Sequence, residues 1–264
     1  MITNPRSKHV FYRLVPWATV VFLISLWEAI ARFGVVPPYV LPAPSHVTQT
    51  LVHEFGSLLP HVVITTTATV TGLGIAFLVA VVLAFAMAVL PLVRSAVYPL
   101  LVVSQTVPLI ALAPLFVIWF GFGILPKVLV VGLVCFFPIV VSLMEGISSV
   151  DRDTVNLLRS MGAGKRQVFF RAYVPASIPH LFGGLRIAAT YSVMGAVIGE
   201  WLGGTQGLGV YMVRAQKAFA LERVFAAIAV VVVLSLLVFG TIVGAQRLAS
   251  PWRNIHEVST EEAA

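Results

Sequence analysis

The chain has 264 residues, of which 59% are hydrophobic and only 10% are charged, with a formal net charge of +7. Soluble domains carry about 25% charged residues, so this composition excludes an ordinary soluble protein and indicates a polytopic membrane protein. The basic residues stand in short loops beside apolar segments, which argues against a nucleic-acid partner. The single cysteine, Cys135, lies in an apolar run, so neither a disulfide within the chain nor a cysteine metal site is predicted.

Six segments are long and apolar enough to cross a membrane, which takes about 20 residues in a helix. They are Leu14 to Val35, Ile64 to Leu90, Tyr98 to Phe120, Leu125 to Glu145, Ile178 to Trp201 and Val224 to Gln246. The first segment follows basic residues, as a signal peptide would, but it is too long and lacks a small-residue cleavage site. We therefore predict a retained first helix and one all-α transmembrane domain over residues 1–264.

The distribution of Lys and Arg predicts the orientation, because positively charged loops stay on the cytoplasmic side. With both termini inside, eleven basic residues flank the spans on the cytoplasmic side and five on the other, with Arg186 inside the fifth span. The hydrophilic segment 151–179 is then cytoplasmic.

The segment 36–60 between the first two spans is then external and contains no Lys or Arg. Ser45 resembles the N-cap of a short helix that reaches about Leu59. His46, His53 and His61 are seven or eight residues apart, which separates neighbours by about 10 Å or more along a helix. That spacing is too long for one ion, so no metal site is predicted.

Segment 151–179 begins with a predicted helix near Ser149, because Asp151 and Asp153 place negative charge at its positive end. Val155, Leu158 and Gly162 form an apolar strip, with Leu157 and Met161 beside it, although the helix is too short to cross a bilayer.

Glycines and prolines predict where the rest of segment 151–179 turns. Gly162 and Gly164 are expected to end the first helix, because glycine adopts the left-handed conformation at little cost. A second helix from about Lys165 is expected to end before Pro175 and Pro179, which interrupt the hydrogen-bond ladder. The predicted shape is helix, glycine turn, helix.

This segment resembles the EAA loop of permeases from binding-protein-dependent ABC importers. The family pattern is Glu-Ala-Ala, three residues, Gly, nine residues, Ile, one residue, Leu-Pro. Gly162 and Pro175 match at the required separation, and Ala172 and Val174 occupy the two apolar positions. In that family the loop fits a groove on the ATP-binding subunit.

The resemblance therefore implies that segment 151–179, hereafter the coupling segment, contains residues that couple the permease to an ATPase. They are Asn156, Leu157, Leu158, Met161, Gly162, Ala163 and Pro175. Asn156-Leu157-Leu158 replaces Glu-Ala-Ala, so the polar contact with the ATPase is expected to differ from the family pattern.

Three further passages resemble permeases for nitrate, sulfonates, taurine and related small organic compounds. These passages are LWEAIARFGVVPPYVLPAPS at 26–45, PLIALAPLFVIWFGFG at 108–123 and GEWLGGTQGLG at 199–209. The last is closer to permeases for pyrimidine-type precursors of thiamine. The resemblance implies the type I ABC importer permease fold and a bacterial inner-membrane location.

The partners implied by the resemblance are a second permease copy, two cytoplasmic ATP-binding subunits and an external or periplasmic solute-binding protein, in contact with membrane lipid. The chain has no GxxxxGK[ST] phosphate loop, so it is not predicted to be an enzyme and ATP hydrolysis is assigned to a partner. No cofactor or catalytic residue is predicted. An ion-coupled secondary transporter would need inverted repeats and paired intramembrane acids, and neither is clear.

Few polar residues stand in the spans, and each needs a partner, water or a role. Glu28 is expected to make a structural hydrogen bond. Glu200 and Trp201 end the fifth span before a glycine-rich stretch, where an external gate or an anchored external loop is expected. Gln105 and Pro108 interrupt the third span, at a lining of the pathway or a packing kink.

Overall fold

The computed structural model describes residues 5–34, 36–37 and 39–249, with side chains from Leu14 onward. All regular structure in these residues is helical. The helices are α1 (Pro5–Arg32), α2 (Pro44–His53), α3 (Phe55–Val89), α4 (Pro91–Ser104), α5 (Leu109–Phe120), α6 (Ile124–Ser148), α7 (Arg152–Ser160), α8 (Lys165–Val168), α9 (Val174–Gly203), α10 (Leu208–Lys217) and α11 (Leu221–Ala249). A π-helical turn, Phe169–Tyr173, joins α8 to α9.

Five helical stretches are long and apolar enough to cross a membrane, and the bent pair α4–α5 makes up to six. These elements correspond in order to the six predicted spans, so the all-α membrane fold is confirmed. Val35, the predicted end of the first span, and both chain termini lie outside the described residues.

The third predicted span is not a straight helix. Helices α4 and α5 meet at an angle of 102° across residues 105–108. Pro108 lacks an N–H group and disfavours helical backbone at Val107, so the ladder ends in three-residue turns such as Thr106 N–H to Val103 O at 3.0 Å.

The described residues fall into two compact units, and the prediction of one domain over the whole chain stays a prediction. The smaller unit comprises Met1–Leu59 and Tyr211–Ala229, and the larger Pro60–Val210 and Val230–Ala264, as far as each is described.

In the smaller unit, Ser45 is not a helix N-cap. Helix α2 starts at Pro44 after an extended Ala43, and the Ser45 N–H and hydroxyl both donate to the Glu28 carboxylate, at 3.0 and 2.8 Å. The expected structural hydrogen bond of Glu28 is thereby confirmed. The short helix ends at His53, not near Leu59.

Helices α6 and α9 form the centre of the larger unit. Glycines let the two backbones approach closely, since a Cβ on Gly184 would meet Ser142 of α6 and one on Gly146 would meet His180 of α9. Cys135 is fully buried between them and its thiol lies 3.4 Å from the Ala188 carbonyl oxygen. This pair positions the residues considered below.

Candidate coupling and translocation sites

The coupling segment starts with a well-capped helix. The Asp151 carboxylate accepts the N–H of Asp153 at 3.0 Å, so Asp151 is the N-cap of α7, two residues after the predicted start. At the other end, Gly162 has a φ of +85°. Its N–H donates to the Arg159 carbonyl and the Ala163 N–H donates to that of Leu158, each at 2.9 Å, which is a Schellman motif.

Helix α7 separates its apolar residues into a buried and an exposed set. Val155 is buried against Val168 and Ala172 of the following turns, with Leu158 and Ala163 packed at the edge of this cluster. Leu157 and Met161, in contrast, are 62% and 76% exposed, and Asn156 is also exposed. The predicted apolar strip therefore has two parts, one that holds the segment together and one that is available to a partner.

Pro175 does not end the second helix, contrary to the sequence prediction. Helix α8 starts at Lys165 as predicted, but the chain stays helical from Lys165 to Gly203. In the π-helical turn the Val174 N–H donates to Phe169 O, five residues back. This wider turn accommodates the proline, whose ring clashes with the backbone of a regular α-helix.

A cavity of about 560 Å³ lies beside the break between α4 and α5. Helices α6 and α9 form its other walls. Its polar lining residues are Ser104, Gln105, Ser142, Glu145 and Tyr191, and its apolar lining residues are Val107, Leu109, Val134, Phe137, Pro138, Val141 and Ile187.

A second cavity of about 460 Å³ shares Ser142, Glu145 and Ile187 with the first. It continues along α6 and α9 towards the coupling segment and is also lined by His180 and Arg186. The Arg186 guanidinium donates to the amide oxygen of Gln246 on α11. We name the two adjoining cavities the polar groove, because they share three lining residues and both carry hydrogen-bonding groups along the α6–α9 pair.

A different polar region lies at the opposite end of α9. The Glu200 side chain is buried, with 1% exposed, and its two oxygens accept from the Thr65 hydroxyl of α3 and from the Gly209 N–H, each at 2.8 Å. The Thr65 oxygen also accepts the Leu208 N–H at 2.9 Å. Glu200 and Thr65 thus bind the stretch 204–209, hereafter the glycine loop, through the N–H groups of Gly209 and Leu208.

Two further side chains bind the glycine loop. His61 Nδ1 accepts the Gly207 N–H at 2.9 Å, and the buried Lys127 ammonium donates to the Gln206 carbonyl at 2.6 Å. Gly207 has a φ of +130°, and a Cβ there would overlap the Glu200 carboxyl group. Glu200, Thr65, His61 and Lys127, hereafter the Glu200 cluster, thus hold a loop that only glycine allows at that position.

The four predicted pathway or gate residues lie in two separate places. Gln105 lines the polar groove, and Pro108 is the N-cap of α5 at the same break. Glu200 is enclosed in the Glu200 cluster, and Trp201 beside it is half exposed. Whether any of them lines the pathway stays a prediction.

Sequence reasoning missed the partners of these residues. Thr65 and Lys127 carried no local signal, since each contacts a residue far along the chain. The structure also places His180 and Glu145 on the polar groove, and neither was among the site residues predicted from the sequence. An acid in the last turn of a helix is unfavourable for the helix dipole, and that feature could have pointed to Glu145.

Comparison with known proteins identifies the class. Residues 72–247 match the family described as binding-protein-dependent transport system inner membrane component. The chain is 39% identical to the formylaminopyrimidine transport permease protein ThiX of Halalkalibacterium halodurans, over 93% of this chain and 98% of the relative. It is 30% identical to the taurine transport system permease protein TauC of Escherichia coli, over 94% and 92% of the two chains.

A third relative, the riboflavin transport system permease protein RibX of Chloroflexus aurantiacus, is 30% identical over 89% of this chain and 88% of its own length. The chain belongs to the family of binding-protein-dependent transport inner-membrane components. It is therefore a multi-pass permease subunit of an ABC importer in the bacterial inner membrane, working with a solute-binding protein and an ATPase.

Proposed function

We propose that this permease imports a pyrimidine-type precursor of thiamine, with formylaminopyrimidine as the representative solute. The observation that carries the proposal is the 39% identity to a formylaminopyrimidine permease over nearly the full length of both chains. The taurine and riboflavin permeases are about nine percentage points less similar, from 39% to 30%. A sulfonate, taurine or nitrate permease is the alternative.

ATP is hydrolysed on separate cytoplasmic subunits, which dock on the coupling segment. The exposed Asn156, Leu157 and Met161 form the contact surface. Leu158 and Ala163 hold α7 on the following turns, and Gly162 sets the direction of the chain between them. Pro175 lies where the coupling segment enters α9, so movement of the segment is passed to that helix.

Import proceeds by alternating access in a homodimer whose chains have both termini in the cytoplasm. The basic residues near the span ends support this orientation. The polar groove is the path in each chain, and its half-exposed residues Ile187 and Tyr191 support closure of the groove by a second copy. ATP-driven closure of the ATPases moves the coupling segments, tilts the spans and opens the path outward.

Glu200 and Trp201 stand at the external end of the path. The hydrogen bonds of Glu200 favour an anchored external loop over a moving gate, because every charged oxygen already has a donor. Uptake measured for Glu200→Gln and Trp201→Ala decides between them. Normal uptake by both variants excludes the gate.

The proposal is tested by uptake in a bacterial strain that lacks its own pyrimidine importer. The permease is expressed with the ATPase and solute-binding protein from the same genome, and radiolabelled formylaminopyrimidine and taurine are supplied in separate assays. Formylaminopyrimidine is expected to accumulate only when all three components are present. Accumulation of taurine alone would overturn the assigned solute, and accumulation without the ATPase would indicate an ion-coupled transporter.

The coupling role is tested with two glycines of the same segment. Gly162→Val is expected to abolish import, because φ is +85° there and valine is strongly disfavoured in that conformation. Gly164→Val is the matched control, since Gly164 has a φ of −71° and open space around it. Import by Gly162→Val with ATPase activity still coupled would contradict the mechanism.

A further inference from the structure

The polar groove contains a carboxylate that the fold itself does not use. Glu145 lies on α6 in the last turn before the helix ends at Ser148. In the described part of the chain its carboxylate makes no hydrogen bond and no ion pair, whereas both oxygens of Glu200 are bonded. A negative charge near a helix C-terminus is also unfavourable for the helix dipole. The Glu145 side chain is exposed in the single chain, so the contacts of this chain assign it no structural role.

We propose that Glu145 is the solute-binding carboxylate of the permease, and that it selects solutes carrying an amino group on a nitrogen heterocycle over anionic solutes. This inference rests on the proposed function and adds a site to it. Ionisable residues within a span that face a cavity mark solute pathways in membrane proteins.

The position of Glu145 supports this role. It belongs to the lining shared by the two cavities, so a solute that crosses from one to the other passes its carboxylate. Gln105 and Tyr191 line the cavity at the break, and Phe137 and Pro138 provide apolar walls. A volume of about 560 Å³ accommodates a small aromatic ring, since small-molecule pockets measure about 300–1,000 Å³.

The charges along the groove give the selectivity. Among the described residues that line the cavity at the break, Glu145 is the only one with a charged side chain. Arg186 and His180 face it from α9, but only in the second cavity, where the Arg186 guanidinium is already bonded to Gln246. A sulfonate or nitrate at the break would therefore meet a like charge, whereas an amino group would donate to the carboxylate.

The chemical complement follows from the donor and acceptor positions. A carboxylate only accepts hydrogen bonds, and the amide of Gln105 both donates and accepts. An aminopyrimidine presents N–H donors beside ring-nitrogen acceptors and a flat face for aromatic contact. Taurine and nitrate present acceptor oxygens to the groove, for which Glu145 supplies no donor.

The test measures binding to the purified permease–ATPase complex without the solute-binding protein, so that delivery does not contribute. Radiolabelled formylaminopyrimidine is the probe, with taurine as a competitor. The variants are Glu145→Gln, which removes the charge at constant size, and Glu145→Asp, which keeps it. Glu222→Gln, in the first turn of α11 and absent from the linings of both cavities, is the matched control.

Wild type and Glu222→Gln are expected to bind the probe saturably and equally. Glu145→Gln is expected to bind about tenfold more weakly, because a charge-assisted hydrogen bond becomes a neutral one, and Glu145→Asp is expected to lie between. Taurine is expected not to compete. The thermal midpoints of all complexes are compared, so that a change in folding is recognised.

Equal binding by Glu145→Gln, competition by taurine, or no saturable binding by wild type at millimolar probe would overturn the inference. Parallel uptake by the complete system separates it from the proposed function. Import of the probe that does not depend on Glu145 would support the proposed function and exclude Glu145 as the binding site. Binding that depends on Glu145, without import of the probe, would support the binding site and exclude formylaminopyrimidine as the imported solute.

Discussion

The α6–α9 pair has a polar region with a carboxylate at each end. The two carboxylates differ in their enclosure and in their hydrogen bonds. At the glycine loop, Glu200 is enclosed and both its oxygens accept hydrogen bonds from groups of the protein. At the coupling end, Glu145 lines an open cavity and makes no such bond among the described residues.

The hydrogen-bond partners of an acid in a membrane helix indicate whether it has a structural role. A buried polar network whose members are hydrogen-bonded makes a region rigid, so we expect the Glu200 cluster to anchor the glycine loop. A carboxylate left facing a cavity retains its capacity to bind something else. Position in the sequence near a span end is the same for both, and only the surroundings separate them.

The largest effect is expected when the two acids are removed in turn. Glu200→Ala leaves the Gly209 N–H without an acceptor and removes the negative charge that interacts with the buried Lys127 ammonium, which costs about 3–5 kcal/mol of stability. Glu145→Ala removes no hydrogen bond and is expected to change stability by less than about 0.5 kcal/mol. Thermal unfolding in detergent measures the stability change of each variant. Similar losses of stability would show that the two acids do not differ in structural role.

A smaller loss is expected for Gly207→Ala in the glycine loop. The added methyl group overlaps the Glu200 carboxyl group at a φ of +130°, at a cost of about 2–3 kcal/mol. Gly240→Ala on α11 is the matched control, because nothing lies within 4 Å of its added Cβ, and it should be neutral or slightly stabilising. Thermal unfolding with equal loss in both variants would mean that the Glu200 cluster does not hold the loop.

At the coupling end, substitution of an exposed residue is expected to reduce association with the ATPase without affecting the folding of the permease. Leu157→Glu places a charge on the surface offered to the ATPase and should reduce copurified ATPase about tenfold, with stability changed by less than about 0.5 kcal/mol. Leu157→Met retains the apolar surface and should copurify normally. Full ATPase recovery with Leu157→Glu would remove this face of α7 from the interface.

The smallest effect is expected for Gly162→Ala. It should lower the stability of the turn by about 1 kcal/mol, because a residue with a side chain is disfavoured in the left-handed conformation. Hydrogen exchange at the Gly162 and Ala163 amides measures it, because these two groups form the Schellman bonds. Gly164→Ala should leave those exchange rates unchanged. Equal protection in wild type and Gly162→Ala would show that the turn tolerates a side chain.

Much of the fold could be predicted from the sequence because its causes are local. Long apolar runs identify spans wherever they stand, and the α4–α5 break falls beside Pro108, one of the residues predicted to interrupt that span. Gly162 was predicted to end α7, and it does so through bonds to Arg159 and Leu158, three and five residues from their donors.

Local rules were insufficient where a distant residue competes for the same group. Ser45 has the chemistry of an N-cap, but Glu28 of α1 takes both of its donors. Pro175 is a residue type that ends helices, but a π-helical turn accommodates its ring and the chain continues into α9.

The sequence by itself therefore determined the class, the spans and the glycine turn of the coupling segment, since hydropathy and backbone preference act over a few residues. The tertiary structure was needed to show that both Glu200 oxygens accept hydrogen bonds and that Glu145 lines a cavity. Thr65 and Glu200 are separated by 135 residues, and no local pattern specifies a hydrogen bond across that distance.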